Sequence, residues 1–221
     1  FPTRRSSDLA VKDFAPITLL ATTPNMLVIN NDVPAKNLKD FIALGKKEGK
    51  MTFASSGSGT SIHVSGELFK TMTGIDMVHV PYKGRQFAIP DLVGGQIQVM
   101  FDNMPSAMPF VRENRLIPIV VAAPTRLAAL PNVPTFKEVG LEPVNRMAYY
   151  GIYGPKGLPK EVVDKINAGV RKALEDPAVR KRIEDTGSII VGNTPEQFAD
   201  QIKSEYEVYK RVVQQQKLTL D

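Results

Sequence analysis

The residues best able to do chemistry form one run, Ser55, Ser56, Gly57, Ser58, Gly59, Thr60 and Ser61, followed by His63. An apolar stretch at residues 51–54 precedes the run and a helix-periodic one follows it, so it reads as the turn between a strand and a helix. Small residues let the backbone approach a ligand closely, and the N–H groups of a first helical turn have no partner within the helix. Between Thr52 and Gly66 there is no Asp or Glu, although acidic side chains usually favour a helix start against its dipole. An anion from outside suits that place. The dipole supplies only about 0.3–1 kcal/mol, while taking a carboxylate out of water costs several kcal/mol. Several charge-assisted hydrogen bonds of about 1.5–3 kcal/mol each are therefore needed, and residues 55–61 can offer amide and hydroxyl donors together. The plainer reading is a strand-to-helix turn capped by Thr60 or Ser61 that binds nothing.

Other chemistries fit less well. No Gly-Lys-Ser/Thr follows the loop, so it is not a phosphate-binding Walker loop, and Gly57 and Gly59 flank Ser58 too closely for a nucleophile elbow. Ser56 or Ser58, His63 and Asp102 supply the residue types of a hydrolytic triad, but His63 falls in the first helical turn, where the dipole disfavours its protonation as a general base. Tyr82 and Lys83 follow a strand-like run and end in a turn at Gly84, which places them at a carboxyl edge of the kind where open α/β sheets bind ligands. Asp102 follows another such run. It could accept from a ligand hydroxyl or ammonium, or cap the helix that begins near Pro105.

The elements that must hold these residues alternate. Strand-like runs at residues 17–21, 26–29, 51–54, 78–81, 97–101, 117–123 and 149–153 are separated by helical patterns marked by Leu38, Phe41 and Ile42 and by Val64, Leu68 and Met72. Thr135 and Glu138 form a capping-box spacing that opens a short helix ending at Gly140. After Tyr153 the pattern turns helical, with a stripe of Val162, Val163, Ile166, Val170 and Leu174. A further helix starts at Thr194 and carries Phe198, Ile202, Tyr206, Tyr209 and Val213 on one face. Strands alternating with helices indicate an α/β fold with a largely parallel sheet.

Composition narrows the function. The 221 residues are 43% hydrophobic and 23% charged, the balance of a globular protein. A net charge of +5 arises from interleaved signs, and Trp is absent, which argues against a nucleic-acid stripe. With no Cys and two His, thiolate catalysis and Cys- or His-rich metal sites are excluded. No apolar run reaches the roughly 20 residues of a membrane span. The opening Phe1-Pro2-Thr3-Arg4-Arg5 begins with neither Met nor a signal peptide, so residues 1–9 read as a non-native leader.

Taken in order, Ser56-Gly57-Ser58-Gly59-Thr60, His63, Gly66-Glu67-Leu68-Phe69, His79-Val80-Pro81-Tyr82-Lys83-Gly84, Asp91-Leu92, Gly95-Gln96, Pro134-Thr135-Phe136, Gly140, Tyr150-Gly151 and Gly154-Pro155 resemble the Bug family, the extracytoplasmic solute-binding proteins of tripartite tricarboxylate transporters. The resemblance runs from Asp13 to the C-terminus. It implies a two-lobed α/β fold of the type II periplasmic-binding-protein kind with an incomplete first lobe. Residues 10–23 would be a remnant of lobe 1 and the hinge, residues 24–148 lobe 2, and residues 149–221 the return hinge strand and the C-terminal helices of lobe 1. It further implies capture of a small organic carboxylate by lobe closure, a periplasmic location (the signal peptide being absent from this chain) and permease subunits as membrane partners. No catalysis, cofactor, metal, nucleic acid or direct membrane insertion is implied. Residues 55–61, with His63, Tyr82 and Asp102 as neighbours, would form one half of the carboxylate clamp, aided by bridging waters.

Two departures stand out. The Gly-rich opening that makes the other half of the clamp in the family does not occur here, and Arg85-Gln86-Phe87 replaces the small residues expected after the Tyr-Lys-Gly turn. Without that opening, Val163, Ile166 and Phe198 are expected to be under-covered. Two alternatives remain at this point: a serine hydrolase using Ser58 or Ser56 with His63, and a binding protein that presents its ligand to a membrane sensor.

Overall fold

The computed structural model describes residues 13–216. The expected leader at residues 1–9 lies outside them, as do residues 10–12 of the expected lobe 1 remnant. The chain divides into two compact units, Phe1–Thr22 with Tyr149–Arg211, and Thr23–Ala148 with Val212–Asp221.

The unit that begins at Thr23 is built on a five-stranded sheet. Its strands are β2 (Asn25–Asn30), β3 (Met51–Ser55), β4 (Met77–Pro81), β5 (Val99–Asn103) and β6 (Leu116–Ala122), in the spatial order β4-β3-β5-β2-β6. β3 runs parallel to β4 and β5, whereas β2 is antiparallel to both β5 and β6. The expected parallel sheet is thus interrupted by one reversed strand. All six residues of β2 are buried, and their alternation feeds two cores. Leu27 and Ile29 join Phe53, Phe69, Phe101 and Phe136 on one face, and Met26 and Val28 join Leu92, Met100 and Met108 on the other.

Helices α1 (Leu38–Glu48), α2 (Ser61–Thr73), α3 (Arg85–Val93) and α4 (Met104–Arg112) connect these strands. In α2 the expected stripe holds at Val64, which is buried, and at Leu68, which packs partly buried against the core, but not at Met72, which is exposed; Ile62, Ser65, Gly66, Phe69 and Thr73 are buried beside it. A Cβ on Gly66 would lie 2.3 Å from Phe53 Cε2. The small residues therefore turn inward and let the helix sit close on the sheet. Thr135 and Glu138 do close their capping box, with Thr135 N–H donating to Glu138 Oε2 (2.7 Å) and Glu138 N–H to Thr135 Oγ1 (3.1 Å). The segment makes only turns before Gly140 rather than the expected helix.

The other unit holds a three-stranded sheet in the order β7-β1-β8, from β1 (Phe14–Thr23), β7 (Ala148–Pro155) and β8 (Ile189–Ile190), with α5 (Lys160–Glu175), α6 (Pro177–Glu184) and α7 (Pro195–Gln216). Thr194 and Gln197 cap α7 reciprocally, at 3.0 and 3.3 Å. Asn167 of α5 donates to the carbonyls of Ile17 and Asn193, each at 2.9 Å. Phe198 is fully buried against the Tyr153 ring, over Gly151. Of the three apolar residues expected to be under-covered, Phe198 is fully buried, Val163 is half-buried and Ile166 is exposed. No helix among the described residues is long and apolar enough to cross a membrane.

Candidate functional site

Because β2 is reversed, the carboxyl ends of β4, β3, β5 and β6 share one sheet edge with the start of β2. The connection from β3 leads outward to β4, and the chain then returns past β3 to β5. The carboxyl ends of β3 and β5 thus flank a topological switch point, where open α/β sheets place their ligands. Residues 55–61 leave β3 at this point and Asp102 ends β5 beside them. Strand β5 runs two residues further than the sequence pattern suggested, to Asn103, so Asp102 lies within the strand rather than after it.

The loop is held by its own bonds. Thr60 is the N-cap of α2, and its hydroxyl accepts from His63 N–H (3.4 Å) and donates to Gly57 O (2.8 Å). Gly57 has φ +139° and Gly59 φ +79°, values that disfavour any side chain. Ser55 is fully buried; its Oγ accepts from Gly57 N–H (3.1 Å), contacts Gly57 O (3.0 Å) and lies 2.7 Å from His79 Nε2. Gly59 N–H donates to His63 Nδ1 at 3.0 Å, and Thr60 N–H to Gly57 O at 3.4 Å. The sequence suggested a uniform row of donors, and the structure divides it. The amides of Gly57, Gly59, Thr60 and His63 are engaged internally, while among the described residues those of Ser58, Ser61 and Ile62 donate to no protein group. Ser56, Ser58 and Ser61 are half-buried and Gly59 is exposed. The first turn of α2 holds no acidic residue.

His63 is buried, with Nδ1 taken by Gly59 and Nε2 at 3.8 Å from Glu67 Oε1. With Nδ1 accepting from Gly59 N–H, the neutral ring carries its proton on Nε2, so neither nitrogen is free to take one from Ser56 or Ser58, and Asp102 Oδ1 accepts from Asn103 N–H (2.8 Å) rather than orienting an imidazole. The three residue types of a triad are present without the hydrogen bonds of one. Burial, and secondarily the Lys70 charge, lower the His63 pKa against the opposing pull of Glu67.

Asp102 is 1% exposed, and its Oδ2 meets no hydrogen-bond partner in the protein. Burial pushes its pKa up to about 6, against the Asn103 amide and the Arg85 charge. It does not cap α4, whose N-cap position is Asn103. Tyr82 follows β4, and its hydroxyl donates to Asp91 Oδ2 at 2.6 Å; burial and this bond raise its pKa to about 12.

A family model for the tripartite tricarboxylate transporter family receptor matches residues 7–218. The chain belongs to this receptor family. Three solved structures are similar to it. One, described as a periplasmic transporter, is 45% identical with a TM-score of 0.87, over 96% of this chain and 71% of that one. MatC from Rhodopseudomonas palustris, solved with bound malate, is 30% identical with a TM-score of 0.83, over 94% and 75%. The R. palustris protein solved with adipate is 27% identical with a TM-score of 0.84, over 92% and 68%. The α/β, type II periplasmic-binding-protein architecture of this receptor family is the fold of the chain. The chain spans 60–63% of the length of the first curated relatives it matches.

Sequence reasoning missed three participants in this sheet edge. His79 stacks on His63 with ring centroids 3.9 Å apart and planes 13° apart, and the Phe53 ring lies against both. Only the pairing of Phe53 with His79 across β3 and β4 brings these rings together. Asn25 and Asn145 are the other two. Asn25 Nδ2 donates to Arg146 O (2.9 Å) and Asn145 Nδ2 to Ala123 O (3.0 Å), while the Oδ1 atoms of both are buried without a protein partner. For Asn25 the available signal was an Asn opening a strand whose middle, Met26–Ile29, is apolar, a poor place for a polar side chain with no task; Asn145, which lies in no strand, offered none.

Proposed function

We propose that this edge is one side of the binding site for a small organic carboxylate, in a periplasmic receptor that delivers its ligand to the permease of a tripartite tricarboxylate-type transporter. One observation carries the reading: the free amides of Ser58, Ser61 and Ile62, with the hydroxyls of Ser56, Ser58 and Ser61, gather at an acid-free helix start on a sheet switch point. The rest of the site is Gly57, Gly59 and Thr60, which shape the loop, His63 beneath it, and Tyr82 and Asp102 as neighbours. Ser55 serves as an anchor within the loop. The family and the malate and adipate bound by two relatives support the ligand class. Binding and release need no covalent step and no cofactor.

The test is calorimetric titration of the protein with malate and with adipate, beside the variant Ser61→Asp. A carboxylate in the first helical turn complements the dipole and should leave the melting temperature unchanged or raised. The same charge occupies the anion's place and should weaken binding by tenfold or more, about 1.4 kcal/mol. Equal affinity in the variant would refute the site. Stoichiometric labelling of Ser56 or Ser58 by a serine-reactive phosphonate would instead establish a hydrolase.

A further inference from the structure

Helix starts are commonly closed by a capping box, in which the N-cap hydroxyl takes the amide three residues on and an acidic or amide side chain at that third position reaches back to an amide at the cap. In α2 the N-cap is Thr60 and the third position is His63, whose Nδ1 reaches back one residue beyond the cap to take Gly59 N–H at 3.0 Å, while the Thr60 amide itself donates to Gly57 O. A Glu there would close the same box while placing a full negative charge at the positive end of the helix. A neutral imidazole closes it without charge.

We propose that His63, backed by His79, is the positioning residue of the anion loop: an uncharged capping-box partner that fixes the turn at residues 57–60 and leaves the helix start free for a guest's negative oxygens. The inference rests on the carboxylate reading for its ligand and on geometry for its mechanism. The two imidazoles stack at 3.9 Å, each tied to one end of the loop, His63 through Gly59 and His79 through Ser55, which in turn holds Gly57. The groups facing the pair are Phe53 and Ser55 from β3, which carry no charge, and Glu67 and Lys70 from α2 itself. Glu67 Oε2 lies 3.0 Å from Lys70 Nζ, so its charge is largely answered within the helix. The pair is therefore held neutral, as the lowered pKa of each ring requires: burial is the main cause in both, and for His79, at about 4, His63 is the second. A proton on His63 Nδ1 would turn the acceptor of Gly59 into a donor and set a charge against the neighbouring ring. The loop would lose its lower tie and the ligand its site.

Nuclear magnetic resonance of the full chain tests this, since its two His are assigned by single variants. The Gly59 amide should shift together with the His63 ring as the pH falls below the ordinary histidine range, and the affinity for malate or adipate, after correction for protonation of the acids themselves, should drop about tenfold with that shift. His63→Gln keeps a neutral acceptor at the box position, so it should retain affinity within about threefold and lose most of the pH dependence. His63→Glu should keep the fold and the protected Gly59 amide but bind at least tenfold more weakly, by the charge alone. A Gly59 amide that ignores His63, or a His63→Gln variant with the wild-type pH slope, would overturn the proposal. Titration of Gly59 with His63 in a protein that binds neither acid would uphold the positioning role and reject the carboxylate reading instead.

Discussion

The two ends of the five-stranded sheet treat their polar residues differently. At the end where β2 finishes and β3 and β5 begin, a cavity of about 450 Å³ is lined by Asn30, Asp32, Glu48, Lys50 and Gln98 among others. There the protein answers its own polar groups. Gln98 Oε1 accepts from the Thr52 amide (3.0 Å) and hydroxyl (2.6 Å), Asn30 Nδ2 donates to the carbonyls of Leu92 and Val93, and Asn30 Oδ1 accepts from Asp32 N–H. At the opposite end, Asp102 Oδ2, Asn25 Oδ1 and Asn145 Oδ1 are buried without a protein partner, and the amides of Ser58, Ser61 and Ile62 donate to none. A buried polar atom left unpaired costs about 1–3 kcal/mol. That the fold pairs them at one end and leaves several open at the other supports the site proposed for the open end, whether for a guest or for ordered water.

The contrast breaks most severely at Gly66. Adding a Cβ 2.3 Å from Phe53 Cε2 must push either α2 from the sheet or Phe53 from beneath the two imidazoles. Gly66→Ala should cost about 3 kcal/mol of stability and should weaken dicarboxylate binding as well, because the loop rests on what moves. Denaturant unfolding and calorimetric titration read the two effects. A stable variant with normal binding would show that the tight approach of α2 is not what holds the loop.

Gln98→Ala sharpens the comparison from the other end. It leaves the Thr52 amide without its acceptor, so a loss of about 1–2 kcal/mol is expected, with affinity for malate or adipate unchanged. An equal loss of binding would mean that the two ends of the sheet are not separable and that the cavity at the first end takes part in the function.

The sequence made the frame of this unit legible wherever period and punctuation agreed: β3 into the Gly/Ser loop, α2 capped at Thr60, and β4 ending at Pro-Tyr. It misled where small or polar residues were buried. β5 was placed two residues too early because Asp102 and Asn103 end a strand all of whose residues are buried, against the usual exposure of both types. The packed face of α2 was right at Val64 and Leu68 but wrong at Met72, because Ser65 and Gly66 pack inward by virtue of their size, which an apolar stripe does not register. Within the loop, residue types located the donors without saying which were already engaged, since that depends on φ at Gly57 and Gly59 and on the reach of His63. The His79 stack was out of sight because it joins neighbouring strands with a helix between them in the chain. Only strand pairing reveals it.

The smallest effect expected is also the most particular to the open edge, for Asp102 and His79 both titrate there with opposite consequences. His79 is lowered from 6.5 to about 4. Between those values the unfolded chain holds the extra proton, so this group makes stability rise with pH. Asp102 is raised from 3.8 to about 6. Over nearly the same interval the folded chain holds the extra proton, and this group makes stability fall as pH rises. These two slopes offset each other, leaving the rise with pH that the lowered His63 contributes, so the ligand-free protein should gain stability modestly as the pH rises through the range below about pH 6.5. Asp102→Asn removes the opposing slope: its stability should climb more steeply over that range and exceed that of the parent by about 1 kcal/mol at neutral pH. His79→Gln should tilt the curve the other way. Denaturant midpoints measured across the range decide it. Parallel curves for the parent and Asp102→Asn would mean that water already pairs Asp102 Oδ2, and that this part of the edge is less open than the contrast with Gln98 implies.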